Sequence, residues 1–350
     1  MLNRLQPLLA AVQRNCDIAD ARHAGEFTLC VYLLKMREYF RWERGYDFRR
    51  SLPESDVSDW LRKRESFWET VEEESYARLP LDGRQYDPFD DRAMNSALNP
   101  RGLVYSGGMG ARGVPHFFLG KLIRSEDQAG VTILVSDTEY ARDLAAPPAM
   151  TRDNTIYIRR ESLRRMVWEK LEEWRWNRLD NAMGRTIRGF DFESDTDSAL
   201  DAMTDMALEM VLLHEKGEVL AGEILGGDWE KMLAAVPPSR TDLMIRAVRD
   251  HLVDSMMTLP GLLGQGRDEA LHFFFASLTN MRKHLSPALM QAYDAWRASG
   301  KRREIEAILP ASESHWRQLA ERILTQYRRD SGNCADSLAA LIEESRLLEF

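Results

Sequence analysis

Gly108, Gly110 and Gly113 lie in the stretch "YSGGMGARGVPHFF" at the G-x-G-x-x-G spacing that lets a backbone turn tightly against a pyrophosphate. Arg112 and His116 stand inside and beside the same stretch, so the chemistry it offers is the holding of an anion. A dinucleotide cradle needs a strand, a tight turn, a helix, a second strand and then an acidic residue for the ribose. "GLVYS", "HFFLGKLI" and "GVTILVS", ending at Asp137, can be read in that order. Three features oppose this reading. Asp137 comes late, 24 residues beyond Gly113, and Pro115 removes a donor from the first turn of the required helix. Only "NTIYIRR" follows as a further strand, whereas a doubly wound sheet needs more βα units. The stretch is therefore expected to be a glycine-rich turn. A milder functional reading keeps the loop as an anion-binding nest of backbone N–H groups, with Gly108, Gly110, Arg112, Gly113 and His116 as its residues.

A second constellation pairs histidines with carboxylates. Glu269-x-x-His272, His214-x-x-x-Glu218 and His251-x-x-Asp254 each place both groups on one helical face, and His23 lies between Asp20 and Glu26. Di-metal carboxylate bundles use such pairs, projecting inward from several helices. His214, Glu218, Glu269 and His272 are the candidate metal ligands, with His251 or His23 as further ones. Chance weakens the signal, because seven histidines in so acidic a chain produce about three or four such pairs by accident. The alternative is a set of hydrogen-bonded core histidines. "DIADARHAGEFTLC" gathers Asp17, Asp20, His23, Glu26 and Cys30; it is expected to cap a helix, with acids at the positive end of the dipole. Cys16 and Cys30 belong to no nucleophile motif and there is no G-x-S-x-G. Most tryptophans, including Trp168, Trp174 and Trp176, fall at helical spacing and are expected to pack in cores.

The elements that must position these groups are mostly helices. "FTLCVYLLKMREYFRWER" repeats apolar residues at helical spacing and stops at Gly45, and "SDVSDWLRKRESFWETVEEESYARL" follows, with Asp56 or Ser58 as candidate N-cap. Pro80, Gly83 and Pro88 then break the chain. "GLVYS", "GVTILVS" and "NTIYIRR" read as short strands. From Glu161 onward helical patterns recur near 195–225, 239–258, 267–284, 286–299, 312–329 and 335–348, with Pro260, Gly261, Gly264 and Gly266 marking a hinge. The expected fold is mainly α, a multi-helix protein with a small β-containing segment in the middle of the chain. Its expected parts are an N-terminal helical region at 1–98, the β-containing segment at 99–160 and a C-terminal helical domain at 161–350.

Composition narrows the function classes. The 350 residues are 44% hydrophobic and 29% charged, enough for a real core, and the net charge of −9 opposes any broad coating of nucleic acid. Between Arg101 and Arg165, ten Lys and Arg face seven Asp and Glu, so this segment is basic within an acidic chain. That favours a small anionic ligand or an acidic partner surface. Three cysteines, Cys16, Cys30 and Cys334, with no Cys-x-x-Cys, fit a reducing compartment, and no apolar run approaches membrane-spanning length. A cytoplasmic protein without a membrane partner is expected. No cofactor and no oligomeric state can be named from these residues.

Three stretches, "ARHAGEFTLCVYLLKMREYFRWERG", "YSGGMGARGVPHFFLGKL" and "SLRRMVWEKLEEWRW", resemble those of an uncharacterised bacterial protein family. The resemblance implies a bacterial origin and brings no activity, cofactor or catalytic residue with it. Three functions from different classes stand at this point: an anion- or acidic-partner-binding protein acting through the glycine-rich basic segment, a metal-dependent enzyme of the di-metal carboxylate type, and a helical interaction protein without catalysis.

Overall fold

A computed structural model of the protein describes residues 5–110, 113–329 and 334–347. The chain forms two compact units, Met1–Trp168 and Glu169–Phe350. Helices dominate, as the apolar spacing requires, but the sheet belongs to the N-terminal unit and is not a separate middle segment of a helical chain.

The N-terminal unit starts with α1 (Gln6–His23), α2 (Leu29–Glu43) and α3 (Glu54–Val71). Helix α1 was not expected from the sequence: its Asp17 and Asp20 are buried on the helix and do not cap the next one. Helix α2 ends before Gly45, whose φ of +62° suits the expected left-handed stop. Helix α3 begins earlier than Asp56, behind Pro53, whose fixed φ of −61° suits the entrance to a helix. The break at Pro80 and Gly83 is a small hairpin of β1 (Leu79–Leu81) and β2 (Arg84–Tyr86). Helix α4 (Asp91–Leu98) follows, capped by the Asp90 side chain accepting from the Ala93 amide.

Five strands complete the unit: β3 (Leu103–Met109), β4 (Pro115–Gln128), β5 (Val131–Arg142), β6 (Ala149–Arg152) and β7 (Thr155–Arg159). Their order is β3-β4-β5-β7-β6, antiparallel except for the β5–β7 pair. "HFFLGKLI" is thus strand β4, and no helix follows the glycines. Register shifts near Gly120 and Leu122 bend the β4–β5 pair. The sheet curls until its two edge strands meet: Ser106 of β3 donates to the Met150 sulfur of β6 at 3.7 Å, and Arg152 of β6 bonds to the Gly107 carbonyl of β3.

Strand alternation sorts the two faces. Val104, Phe118, Leu134 and Tyr157 form one buried cluster. Leu103, Tyr105, Phe117 and Leu119 point the other way, against Leu8, Val12 and Cys16 of α1 and Met94 and Leu98 of α4. A methyl group at Gly107 would fall on the Pro88 carbonyl and the Tyr105 hydroxyl, which are themselves hydrogen-bonded at 2.6 Å. Since a backbone carbonyl cannot step aside cheaply, Gly107→Ala is expected to destabilise the unit by about 1–3 kcal/mol. Gly25→Ala, where nothing lies within 4 Å, is expected to be close to neutral. Thermal unfolding of the two variants compares them directly.

Helix α5 (Arg160–Asn177) continues straight from β7. The C-terminal unit then comprises α6 (Ala182–Ile187), α7 (Thr196–Leu225), α8 (Gly227–Ala235), α9 (Arg240–Val253), α10 (Leu259–Gln265), α11 (Asp268–Ser277), α12 (Asn280–Leu285), α13 (Pro287–Ser299), α14 (Arg303–Glu306), α15 (Leu309–Arg329) and α16 (Ala335–Glu344). Its main core joins Trp229 of α8, Met244, Val248 and Leu252 of α9, Trp316 and Ile323 of α15, and Leu338 and Ile342 of α16. Side-chain caps at Asp195, Ser239 and Thr279 start α7, α9 and α12. The expected hinge around Pro260 is instead helical. A π-helical turn at Asp254–Thr258 carries α9 into α10, with the Leu259 amide bonding to the Asp254 carbonyl five residues back, and Gly266 ends the run at φ +71°. Proline lacks an amide and its ring crowds the carbonyl one turn earlier, which favours this widened turn.

Candidate functional site

The glycine-rich stretch is the β3–β4 hairpin. Gly110 donates its amide to the Val114 carbonyl at 2.8 Å, and Gly113, at φ +73°, donates to the Gly110 carbonyl at 3.2 Å. Both amides are therefore engaged inside the loop. The glycines have another use: side chains cross the strand where a Cβ is missing. The Arg152 guanidinium covers Gly108, and the His116 ring covers Gly110. Arg112 lies outside the described residues. Without a helix after the turn, the dinucleotide arrangement is absent.

Behind His116 runs a buried polar network. His116 Nδ1 lies 3.0 Å from Asp143 Oδ2, and the Ala146 amide donates to the other Asp143 oxygen at 2.6 Å. Arg159, fully buried, donates from Nε and Nη2 to the two Glu139 oxygens at 3.0 and 2.6 Å, and stands 3.6 Å from Asp143. Ser162 donates to Glu139 at 2.6 Å. Burial pushes the Glu139 carboxyl up, but Arg159 and Arg142 outweigh it and hold it down at about 2. Burial also works against the Asp143 carboxylate, and His116 and Arg159 overcome it, keeping that carboxyl below its usual range. Asp20, beside this group on α1, accepts the Leu144 amide on both oxygens, at 3.0 and 2.9 Å. Asp17 takes Arg64 at 2.9 Å and Trp68 at 3.3 Å. Burial pushes the Cys16 thiol up, and its sulfur donates to the Phe117 carbonyl at 3.1 Å, the behaviour of an inert core thiol.

Glu161 gives this network a pH dependence. Its carboxylate accepts the Glu139 amide at 2.5 Å, yet burial and the Glu139 charge push its pKa from 4.5 up to about 7. The folded form holds this proton more tightly than the unfolded chain. The associated stability is fully present below pH 4.5 and is lost as pH rises through about 7. Glu161→Gln, which fixes the neutral form, is expected to gain on the native protein in thermal midpoint across that window. A difference that stays flat with pH would contradict the assignment.

In the C-terminal unit, the long α7 presents His214 and Glu218 one turn apart to α9 and its π-helical extension. Gly217 allows the approach, since a Cβ there would strike Val253 and Met257. His214 Nδ1 lies 3.0 Å from Asp254 Oδ1. Asp254 is buried and paired with the Arg282 guanidinium, so it accepts and the Nδ1 of His214 carries the proton. This leaves Nε2, which stands 3.7 Å from Glu218 Oε1. The other Glu218 oxygen takes Arg249 at 2.9 Å. Burial raises the Glu218 carboxyl above its ordinary range against the pull of Arg249 and His214. Asp250 of α9 completes the group: ligand atoms of His214, Glu218 and Asp250 all lie within 4.8 Å of one another.

The other candidate ligands are placed elsewhere. Glu269 packs over Gly189, and His272 stacks on Trp296 at 4.6 Å with its Nδ1 3.0 Å from the Tyr293 hydroxyl. His251 stacks on Trp316 at 4.5 Å and donates from Nε2 to the Arg282 carbonyl at 2.9 Å; burial and Arg282 push it down to about 3, so it is a neutral core histidine. His23 pairs with Glu26 at 2.7 Å on the surface of the N-terminal unit. Among the described residues, His214, Glu218 and Asp250 form the one such three-ligand group. Asp250, Arg249 and Arg282 escaped the sequence reading because they come from other helices. Asp254 was noted only as a partner for His251, three residues before it, while in the fold it serves His214.

No helix among the described residues is long and apolar enough to cross a membrane. No curated protein and no solved structure matches the chain. Two family models do: residues 7–159 match the N-terminal domain, and residues 164–345 the C-terminal domain, of a family of unknown function, DUF6866. The second match alone spans more than half of the 350 residues. The chain belongs to the DUF6866 family and carries both of its domains.

Proposed function

We propose that the C-terminal unit binds a divalent transition-metal ion through His214 Nε2, Glu218 Oε1 and a carboxylate oxygen of Asp250. The supporting observation is the orientation of His214. A buried carboxylate accepts from its Nδ1 and leaves Nε2 3.7 Å from Glu218 in a group that Asp250 completes, the carboxylate–histidine arrangement that recurs at metal centres. The spacing suits the ion: two donors each about 2.1 Å from a tetrahedral zinc stand about 3.4 Å apart, close to the Nε2–Oε1 separation of 3.7 Å. Arg249 holds the far Glu218 oxygen and leaves Oε1 to the metal. Three protein ligands leave a coordination position open, the form of a catalytic site, at which a bound ion acts as a Lewis acid. The π-helical turn beginning at Asp254 fits, since such turns gather at functional sites.

This reading retains His214 and Glu218 from the sequence and replaces Glu269 and His272 by Asp250. Titration of the metal-stripped protein with zinc and manganese, followed by calorimetry and elemental analysis, tests it. Binding of one ion, lost in His214→Ala, is expected. The anion-binding reading of the glycine loop gains no comparable support, because the Gly110 and Gly113 amides and the faces of Gly108 and Gly110 are engaged within the fold.

A further inference from the structure

Two arginines flank the group of His214, Glu218 and Asp250, and the acids around them do not occupy all of their donors. Arg249 of α9 pairs with Glu218 at 2.9 Å and donates to Glu230 at 3.2 Å, yet its buried Nε has no acceptor among the described residues. Arg282 of α12 pairs through Nη2 with Asp254, and its buried Nε likewise has none. The Arg282 side chain is only 12% exposed, and its guanidinium carbon lies 5.8 Å from the centre of the Phe274 ring. Burial pushes this guanidinium below its usual range, and the Asp250 and Glu218 charges pull against that, so it lies within reach of the same carboxylates that face His214. Buried guanidinium donors are seldom left without an acceptor, and here two of them stand beside one group.

Charge decides what kind of ligand suits these donors. Glu230 is 68% exposed, and water screens it. Of the remaining groups, two guanidiniums meet the three carboxylates of Glu218, Asp250 and Asp254, so the metal-free group is net negative and repels anions. A divalent ion reverses that sign. We infer, on the metal reading above, that the loaded site takes a small oxyanion, a phosphoryl or carboxyl group of its substrate, held by the ion and by the Nε donors of Arg249 and Arg282. The planar guanidinium presents its donors as a fork that fits either group. The ion and the arginines together would also meet the negative charge that such a group gains during reaction.

Calorimetric titration of sodium phosphate and of sodium acetate into the full-length protein carrying one manganese ion, and into the metal-stripped protein, tests this inference. Saturable binding of at least one of the two anions to the loaded protein alone is expected, and which one binds separates a phosphoryl from a carboxyl ligand. Arg249→Lys and Arg282→Lys keep a cation opposite Glu218 and Asp254 but lose the Nε donor. Each is expected to retain the ion and to weaken anion binding about tenfold. A loaded protein that binds neither anion overturns the inference and leaves the metal reading standing. So does equal binding to the metal-stripped protein, or undiminished binding in both lysine variants. Failure of the native protein to take up the ion removes the metal reading and this inference together.

Discussion

Arg159→Met is expected to destabilise the N-terminal unit by about 3–5 kcal/mol, because removing one partner of a buried ion pair leaves the other charge unpaired. The guanidinium is wholly buried, lies 4.5 Å over the Phe118 ring, and faces Glu139 at 2.6 Å and Asp143 at 3.6 Å. Without it, buried Glu139 is left with Arg142 at 3.7 Å and buried Asp143 with His116 at 3.0 Å, and neither keeps the Arg159 guanidinium. The loss is large against the ~5–15 kcal/mol that holds a typical domain together. Hydrogen exchange should show it directly, as lost protection in strands β3 to β7. Combining Arg159→Met with Glu139→Gln removes one of the stranded charges and is expected to recover part of the loss, since a neutral amide still accepts from Ser162. If Arg159→Met unfolds at the native temperature, the pair contributes nothing and the network is incidental.

The glycine stretch shows how a real sequence signal can carry another meaning. The G-x-G-x-x-G spacing marks places where the backbone must be approached closely. Here Arg152 approaches Gly108 and His116 approaches Gly110, both supplied by the fold itself, while Gly113 takes a positive φ of +73°. Pro115 and the missing βα units were legible; the identity of "HFFLGKLI" as a strand was not, since short apolar runs fit either period. Helix α1 escaped notice because Asp17 and Asp20 look like capping acids. Their partners, Arg64, Trp68 and the Leu144 amide, come from distant parts of the unit. The helical C-terminal half was read correctly in outline because long amphipathic patterns are unambiguous. The site proposed for it was legible only by halves. Both His214–Glu218 and Glu269–His272 have the local spacing of ligands, but local spacing says nothing of what another helix brings to meet them. Asp250 meets the first pair, whereas aromatic rings enclose His272.

Asp254→Asn is expected to weaken metal binding about 10–100-fold, the usual effect of losing the group that orients a ligating histidine. An amide in that position has a donor as well as an acceptor, so it no longer dictates which His214 nitrogen bears the proton, and the buried Arg282 loses its counter-charge. His214→Ala and Glu218→Ala remove ligand atoms outright and are expected to abolish stoichiometric binding. Glu269→Gln and His272→Ala serve as controls with the same local spacing in sequence and other surroundings in the fold. Calorimetric titration of zinc or manganese into the metal-stripped protein and these variants tests the account most directly. One ion per chain in the native protein and in the two controls, weakened in Asp254→Asn and lost in His214→Ala and Glu218→Ala, is the predicted result. No saturable binding by the native protein, or binding that survives His214→Ala, would contradict it.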